Sequence, residues 1–258
     1  MRRMVFLVVV MGMMALGVRG VAQQSAPTAP GKAAPVAAAE SQQKMEMEVA
    51  RMELELEDWA QLEGYREADL ALPASEPGRV VFYGDSITDG WVKNGGKFFP
   101  GKPYVNRGIS GQTTPQMLVR FRQDVVALHP EAVVILAGTN DVAGNTGPST
   151  LGMIEDNFRS MTEIAKANGI RVVLASVLPV KTYPWRPAVA DPAGKIEALN
   201  AWIKGYCEQE KLTYLDYWSA MAEKDGGMKA GISLDGVHPN AAGYAIMEPL
   251  AEAALGEK

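Results

Sequence analysis

Two short stretches of the chain carry side chains that can act on one another. Gly84-Asp85-Ser86-Ile87 sets a serine hydroxyl just after an apolar run, and Asp235-Gly236-Val237-His238 sets a carboxylate three residues ahead of an imidazole. A serine hydroxyl is a poor nucleophile until a base takes its proton, and the base needs a third group to hold its tautomer. Ser86 as nucleophile, His238 as base and Asp235 as orienter form the minimum set for covalent acyl transfer. The chain has only two histidines. The other, His129, precedes Pro130 at the end of a helical pattern, where a cation suits the helix dipole. An Asp-x-x-His pair also has a plainer use, as a cap for a helix starting at Pro239.

These residues need a frame. Val80–Tyr83, Tyr104–Asn106, Ala132–Ala137, Arg171–Ser176 and Leu212–Tyr217 are short apolar runs, most of them apolar on both faces. Parallel strands covered by helices read this way. Between them lie helical periodicities over Thr114–Leu128, Leu151–Ala167, Ala193–Glu210 and Pro239–Leu255. The alternation predicts an α/β fold, a three-layer α/β/α sandwich around a five-stranded, doubly wound parallel sheet over residues 79–256. Ligands of such sheets bind beyond the carboxyl ends of the strands. The polar motifs fall there: Asp85-Ser86 after the first run, Ser110-Gly111 after the second and Thr139-Asn140-Asp141 after the third.

Other chemistries lack their residues. There is no Gly-x-Ser-x-Gly elbow, no phosphate-cradling Gly-x-x-x-x-Gly-Lys-Ser/Thr and no Gly-x-Gly-x-x-Gly. With two histidines and one cysteine far apart, a zinc site is not expected, and the acyl-transfer chemistry needs neither metal nor cofactor. The net charge is −5 with no basic stretch, so nucleic acid is not an expected partner. Cys207 is the single cysteine and falls in an apolar helical pattern, which predicts a core residue and no intrachain disulfide.

Arg2 and Arg3 precede an apolar run from Met4 to Val18, and Gly20-Val21-Ala22 is a small-residue cleavage pattern. Residues 1–22 therefore read as a secretory signal peptide, predicting an exported protein, periplasmic or secreted, with no stable membrane anchor after cleavage. Cleavage would leave 22 bases against 30 acids. Residues 23–43, rich in Ala, Pro, Ser and Gln, read as a flexible spacer. Residues 44–72 read as a helix, because Val49, Met52, Leu56, Trp59 and Leu62 recur at three- and four-residue steps. This N-terminal extension is expected to pack on the catalytic domain, with a partner-binding or dimer helix as the alternative.

With the motifs placed, residues 79–250 resemble the SGNH hydrolases, also called GDSL esterases and lipases. Four blocks carry the resemblance in the family's order: Tyr83–Gly90, Asn106–Thr113, Ala137–Asp141 and Asp235–Asn240. Ile87 stands where the eponymous tetrapeptide has leucine. The resemblance implies an SGNH/flavodoxin-like fold and an acyl-enzyme on Ser86. It also implies an oxyanion hole formed by the Ser86 amide, the Gly111 amide and the Asn140 side chain. Glycine at 111 would let the backbone approach closely; alternatively it only permits a turn, and Asn140 only braces its loop. Asp85, Asp89 and Asp141 read as structural.

The branch resembled is that of bacterial lysophospholipase L1-like and acetylhydrolase-like esterases. It implies a small-molecule or carbohydrate ester as substrate, foremost short-chain acyl esters including O-acetyl groups, with lysophospholipids next. An acyltransferase with the same triad and a non-catalytic binding module remain as alternatives. The aromatic, proline-rich segment 180–191 follows the fourth strand, and its Tyr183 and Trp185 are candidate substrate contacts.

Overall fold

The computed structural model describes residues 33–256. The expected signal peptide, residues 1–22, and residues 23–32 of the expected spacer lie outside the described residues.

Five strands form: β1 Val80–Gly84, β2 Tyr104–Gly108, β3 Ala132–Leu136, β4 Arg171–Ala175 and β5 Thr213–Leu215. All pair in parallel, in the order β2-β1-β3-β4-β5. Nine α-helices are present among the described residues: α1 Ala33–Glu57, α2 Arg66–Leu70, α3 Ser86–Lys93, α4 Thr114–Asp124, α5 Thr139–Ala143, α6 Leu151–Ala167, α7 Pro192–Glu210, α8 Tyr217–Met221 and α9 Ala241–Gly256.

Strand alternation divides the core in two. On one face Val81, Tyr83, Val133, Ile135, Val172 and Leu174 pack with Met117 and Phe121 of α4, Phe158 of α6 and Ile203 of α7. On the other, Val80, Phe82, Val134, Leu136 and Val173 meet Trp91 of α3, Met221 of α8 and Tyr244 of α9. This is the expected three-layer, doubly wound sandwich. Its winding reverses between β1 and β3, the switch point where such sheets bind ligands. Cys207 is buried in the α7 side of the core, and burial pushes its thiol pKa up to about 12.

Several boundaries differ from expectation. The helix expected over Thr114–Leu128 ends at Asp124 and tightens into a 3-10 turn at Val126–Leu128. The last helix begins at Ala241 rather than Pro239, because Asn240 Oδ1 accepts from the amides of Ala242 and Gly243 and so caps it. That cap leaves Asp235 and His238 free of capping duty.

The N-terminal extension departs most. Residues 33–43, expected to be flexible, belong to α1, where alanines favour the helix. The helix expected to run to residue 72 stops at Glu57. There Asp58 takes the amides of Leu62 and Glu63 with its carboxylate, a local bond that competes with helix continuation. Gln61 then adopts φ 56°, and α2 follows after the turn. The apolar face expected to pack does not do so: Val49, Met52, Leu56, Trp59 and Leu62 are all exposed, and Ala60, beyond α1, is buried in their place. The chain divides into two units between Val49 and Ala50, and the sheet, its helices and the candidate site all lie in the second.

Candidate active site

β1 ends at Gly84, and the next residue starts a helix. Asp85 caps it, its Oδ1 accepting from the Ile87 amide at 2.9 Å. Ser86 is therefore the first residue of α3, at the positive end of the helix dipole. The Asp85 carboxyl is fully buried, and its Oδ2 has no hydrogen-bond partner. Burial raises its pKa to about 7, only partly offset by the Ile87 amide and His238.

Ser86 Oγ lies 2.9 Å from His238 Nε2, across 152 residues of sequence. His238 Nδ1 lies 2.8 Å from Asp235 Oδ2. The other carboxylate oxygen, Oδ1, accepts from the amides of Val237 and His238 at 2.9 and 2.8 Å. Burial alone would raise the Asp235 pKa. The bonds from the His238 amide and ring and the Val237 amide outweigh it and hold the group below the ordinary carboxylate range. Asp235 thus stays an anion facing Nδ1, which leaves Nε2 free to accept the serine proton. The turn itself is closed by Ser233, whose hydroxyl donates to the His238 carbonyl at 3.0 Å and accepts from the Gly236 amide at 2.8 Å.

Gly111 and Asn140 sit at neighbouring strand ends. Gly84 is opposite Gly108 on β2 and Leu136 on β3, so the segments that follow all three strands open on the same edge of the sheet. Gly111 has φ 82°, a left-handed conformation that favours glycine. No protein atom lies within 4 Å of where its Cβ would be, so within the chain itself this φ is what calls for glycine. Asn140 is buried on α5 and donates from Nδ2 to the Gln112 carbonyl at 3.0 Å. Asn145, two residues beyond α5, donates to Asn140 Oδ1 at 2.8 Å and to the Gly111 carbonyl at 3.3 Å.

The three expected structural acids have structural partners. Asp85 caps α3, Asp89 accepts from the Ser110 hydroxyl and from Lys93, and Asp141 accepts from the amide and hydroxyl of Thr114. Burial pushes Asp141 up to about 6. His129 is exposed, in a left-handed conformation after the 3-10 turn.

The two aromatic candidates part company. Trp185 is 40% exposed, and its ring centroid lies 5.8 Å from that of His238, so it stands beside the imidazole. Tyr183 is fully buried, with its hydroxyl 3.0 Å from that of Thr139 and its ring 5.3 Å from Trp185. It packs against Trp185 and has no exposed surface, unlike the contact residue expected. The apolar wall beneath the loop, which includes Val180, draws the tyrosine ring inward.

Sequence reasoning missed the framework that braces the Gly108–Thr113 loop. Arg120, with no exposed surface, donates to the carbonyls of Gly84 and Arg107 at 2.9 and 3.0 Å and pairs with Asp124 at 2.9 Å. It also donates to the Gln112 side chain, which in turn holds the Ala60 carbonyl at 2.8 Å. From the N-terminal side, the Tyr65 hydroxyl donates to the Gly108 carbonyl, and Asp69 pairs with Arg107 at 2.6 Å. The segment after α1 is thus a brace on the loop that carries Gly111. An arginine among apolar residues in a helical pattern was the one available signal.

Residues 82–246 match the model of the GDSL-like Lipase/Acylhydrolase family. The chain is 29% identical over 172 residues to esterase TesA of Pseudomonas aeruginosa, a match covering 62% of this chain and 79% of that protein. Among solved structures it is similar to a GDSL-like lipase of Bacteroides thetaiotaomicron, with 44% identity, 76% of this chain and 97% of that chain covered, and a TM-score of 0.74. A protein of Bacteroides fragilis matches with 43% identity, 77% and 97% coverage and a TM-score of 0.75.

Proposed function

The chain belongs to the GDSL-like lipase/acylhydrolase family and is a carboxylic ester hydrolase, and on that premise we propose that Ser86, His238 and Asp235 hydrolyse short-chain acyl esters through an acyl-enzyme. The observation that carries this reading is the unbroken relay from Ser86 Oγ to His238 Nε2 and from Nδ1 to Asp235, at 2.9 and 2.8 Å. Ser86 Oγ attacks the ester carbonyl carbon as His238 Nε2 takes the hydroxyl proton. The imidazolium formed is stabilised by Asp235. The carbonyl oxygen becomes an oxyanion, met by the amides of Ser86 and Gly111 and the Nδ2 of Asn140. Collapse breaks the bond to the alcohol oxygen, which leaves with the proton from His238. Water then repeats the sequence on the acyl-enzyme, with His238 again as base, and releases the acid and free Ser86.

The surroundings favour a small acyl group on a polar alcohol, such as an O-acetylated carbohydrate. Trp185 offers an aromatic face beside His238, suited to a sugar ring. The cavity that borders Asp235 and Gly236, about 690 Å³, does not include Ser86 or His238; its lining mixes Lys181, Thr182, Glu223 and Asp225 with Met228 and Ala230, which leaves room for the hydroxyls of a polar alcohol beside the triad. Among the described residues no helix is long and apolar enough to cross a membrane. Export, as the Arg2-Arg3 and Met4–Val18 pattern expects, completes the proposal.

The test is a panel of acetyl, butyryl and longer esters beside acetylated xylan and a lysophospholipid, with and without an added alcohol acceptor. Highest kcat/KM on acetyl esters is expected, with acid as the product. Preference for the lysophospholipid, or acyl transfer to the acceptor in place of hydrolysis, overturns the substrate reading. Ser86→Ala lowers kcat by ~10⁴-fold or more if the triad acts as a unit. An organophosphonate should label Ser86 stoichiometrically, and no labelling would point to a binding module.

A further inference from the structure

We infer that Asn145 is a positioning residue of the oxyanion site, through which the indole N–H of Trp185 sets the orientation of the Asn140 amide. The inference rests on the reading of Asn140 as an oxyanion donor.

The argument is one of hydrogen-bond polarity. An indole N–H can only donate. The Asn145 atom 3.1 Å from Trp185 Nε1 is therefore its carbonyl oxygen, Oδ1. That leaves Asn145 Nδ2 as the atom facing Asn140, and a donor there at 2.8 Å requires Oδ1 of Asn140. Asn140 Nδ2 then lies on the opposite side of its amide, where one N–H goes to the Gln112 carbonyl at 3.0 Å and the second is unspent. Each amide orientation agrees with the one before it, and the Gly111 and Gln112 carbonyls, which can only accept, favour the same two orientations. Shape alone does not decide them, because the oxygen and nitrogen of an amide are nearly equal in size.

Asn145 also spans both proposed donors. Its Nδ2 lies 3.3 Å from the carbonyl of Gly111, so one side chain ties the Gly111 loop to the Asn140 amide. Its own backbone is fixed. α5 ends at Ala143, Gly144 turns with φ 73°, and the Asn145 amide donates back to the Asn140 carbonyl at 3.0 Å. Without the Asn145 side chain, Asn140 Oδ1 becomes a buried acceptor with no partner. The terminal torsion of asparagine is broad, so the amide, then held only by the bond from Nδ2 to the Gln112 carbonyl, can rock about that bond and misaim its second N–H. A donor that must reorganise during the reaction loses much of its value, since preorganisation is what makes such donors effective.

The test is a mutant cycle on a small activated acetyl ester. Asn145→Leu, Asn145→Asp and Trp185→Phe are each made in wild type and in Asn140→Ala, with kcat, KM and thermal unfolding measured for all. Asn140→Ala alone should lower kcat by ~10²–10³-fold. Asn145→Leu should lower kcat roughly tenfold, with KM changed by less than about twofold. Asn145→Asp should cost more, because a carboxylate facing Asn140 Oδ1 repels it and strains the amide against its bond to the Gln112 carbonyl. Trp185→Phe, which keeps an aromatic ring and removes the N–H, should lower kcat by about fivefold. In the Asn140→Ala background all three should have little further effect on kcat. Equal fold-losses in both backgrounds, or wild-type kcat in Asn145→Asp, overturn the inference. An unchanged kcat in Asn140→Ala overturns the oxyanion reading and the inference with it. Should the Asn145 variants fail to fold, the Trp185→Phe pair decides on the same criteria.

Discussion

The guanidinium of Arg120 donates to the carbonyl of Gly84 at 2.9 Å, clamping the last residue of the strand that leads into Ser86. The same group holds the Arg107 carbonyl at the end of β2 and the Asp124 carboxylate, with neither charged side chain exposed. Arg120→Met leaves Asp124 buried without its partner and should cost ~3–5 kcal/mol of stability. Arg120→Lys restores the charge but not the planar fork, and should recover only part of that loss. Urea unfolding of both variants checks this. A midpoint like that of wild type in Arg120→Met would contradict it.

Trp185→Ala removes the aromatic face beside His238. KM for an acetylated sugar should rise about fivefold, in line with the ~0.5–1.5 kcal/mol of a specific aromatic contact. For an acetyl ester of a simple aliphatic alcohol the rise should be smaller. Equal KM values for wild type and variant on both esters would remove Trp185 from the substrate contacts.

Much of this arrangement is readable from residues alone, for a physical reason. Parallel strands buried on both faces are runs of apolar residues, so Val80–Tyr83 and Ala132–Ala137 announce themselves, and the polar motifs must then follow at strand ends. The helix α3 is harder to read. Ser86–Lys93 contains Gly90 and spans little more than two turns, and only its cap, Asp85, signals a start. Tyr183 misleads because its neighbours are polar and proline-rich, whereas its burial is set by the core below. Asn145 lies in Gly144-Asn145-Thr146-Gly147, which reads as an ordinary turn. Its role depends on Trp185, 40 residues away, and pairings at that range leave no local pattern.

Asp85 gives a pH prediction. Burial raises its folded pKa to about 7 from an ordinary 3.8, so the folded state binds a proton more tightly than the unfolded one. The stability tied to this group is fully present below about pH 4 and is lost as pH rises through about 7. Asp85→Asn keeps an acceptor for the Ile87 amide and does not ionise. The melting temperature of the variant relative to wild type should therefore climb between pH 4 and pH 8. A difference that stays flat over that range would show that Asp85 does not titrate there.

Gly108→Ala tests how closely β2 lies against α3. A Cβ on Gly108 would fall 2.1 Å from the Asp89 amide nitrogen, 2.7 Å from the Thr88 carbonyl carbon and 2.8 Å from the Asp85 carbonyl oxygen. All three are backbone, so no rotamer change relieves the overlap. The variant should lose ~3 kcal/mol or more, at or above the upper end of ordinary overpacking. Denaturant unfolding with a near wild-type midpoint would mean that the two elements separate more easily than this spacing implies.

The hydroxyl of Ser86 and the imidazole of His238 belong to opposite ends of the sheet-forming sequence, 152 residues apart. Hydrolytic competence is consequently expected late in refolding, since the entropy of closing so long a loop opposes the contact before anything rewards it. A molecule stopped before its final helix settles would lack Tyr244 and Met247 from one face of the sheet and would hold an inert serine. Return of turnover after dilution from denaturant would then clock the docking of the C-terminal segment, and a truncation ahead of Asp235 would abolish it at any level of residual structure.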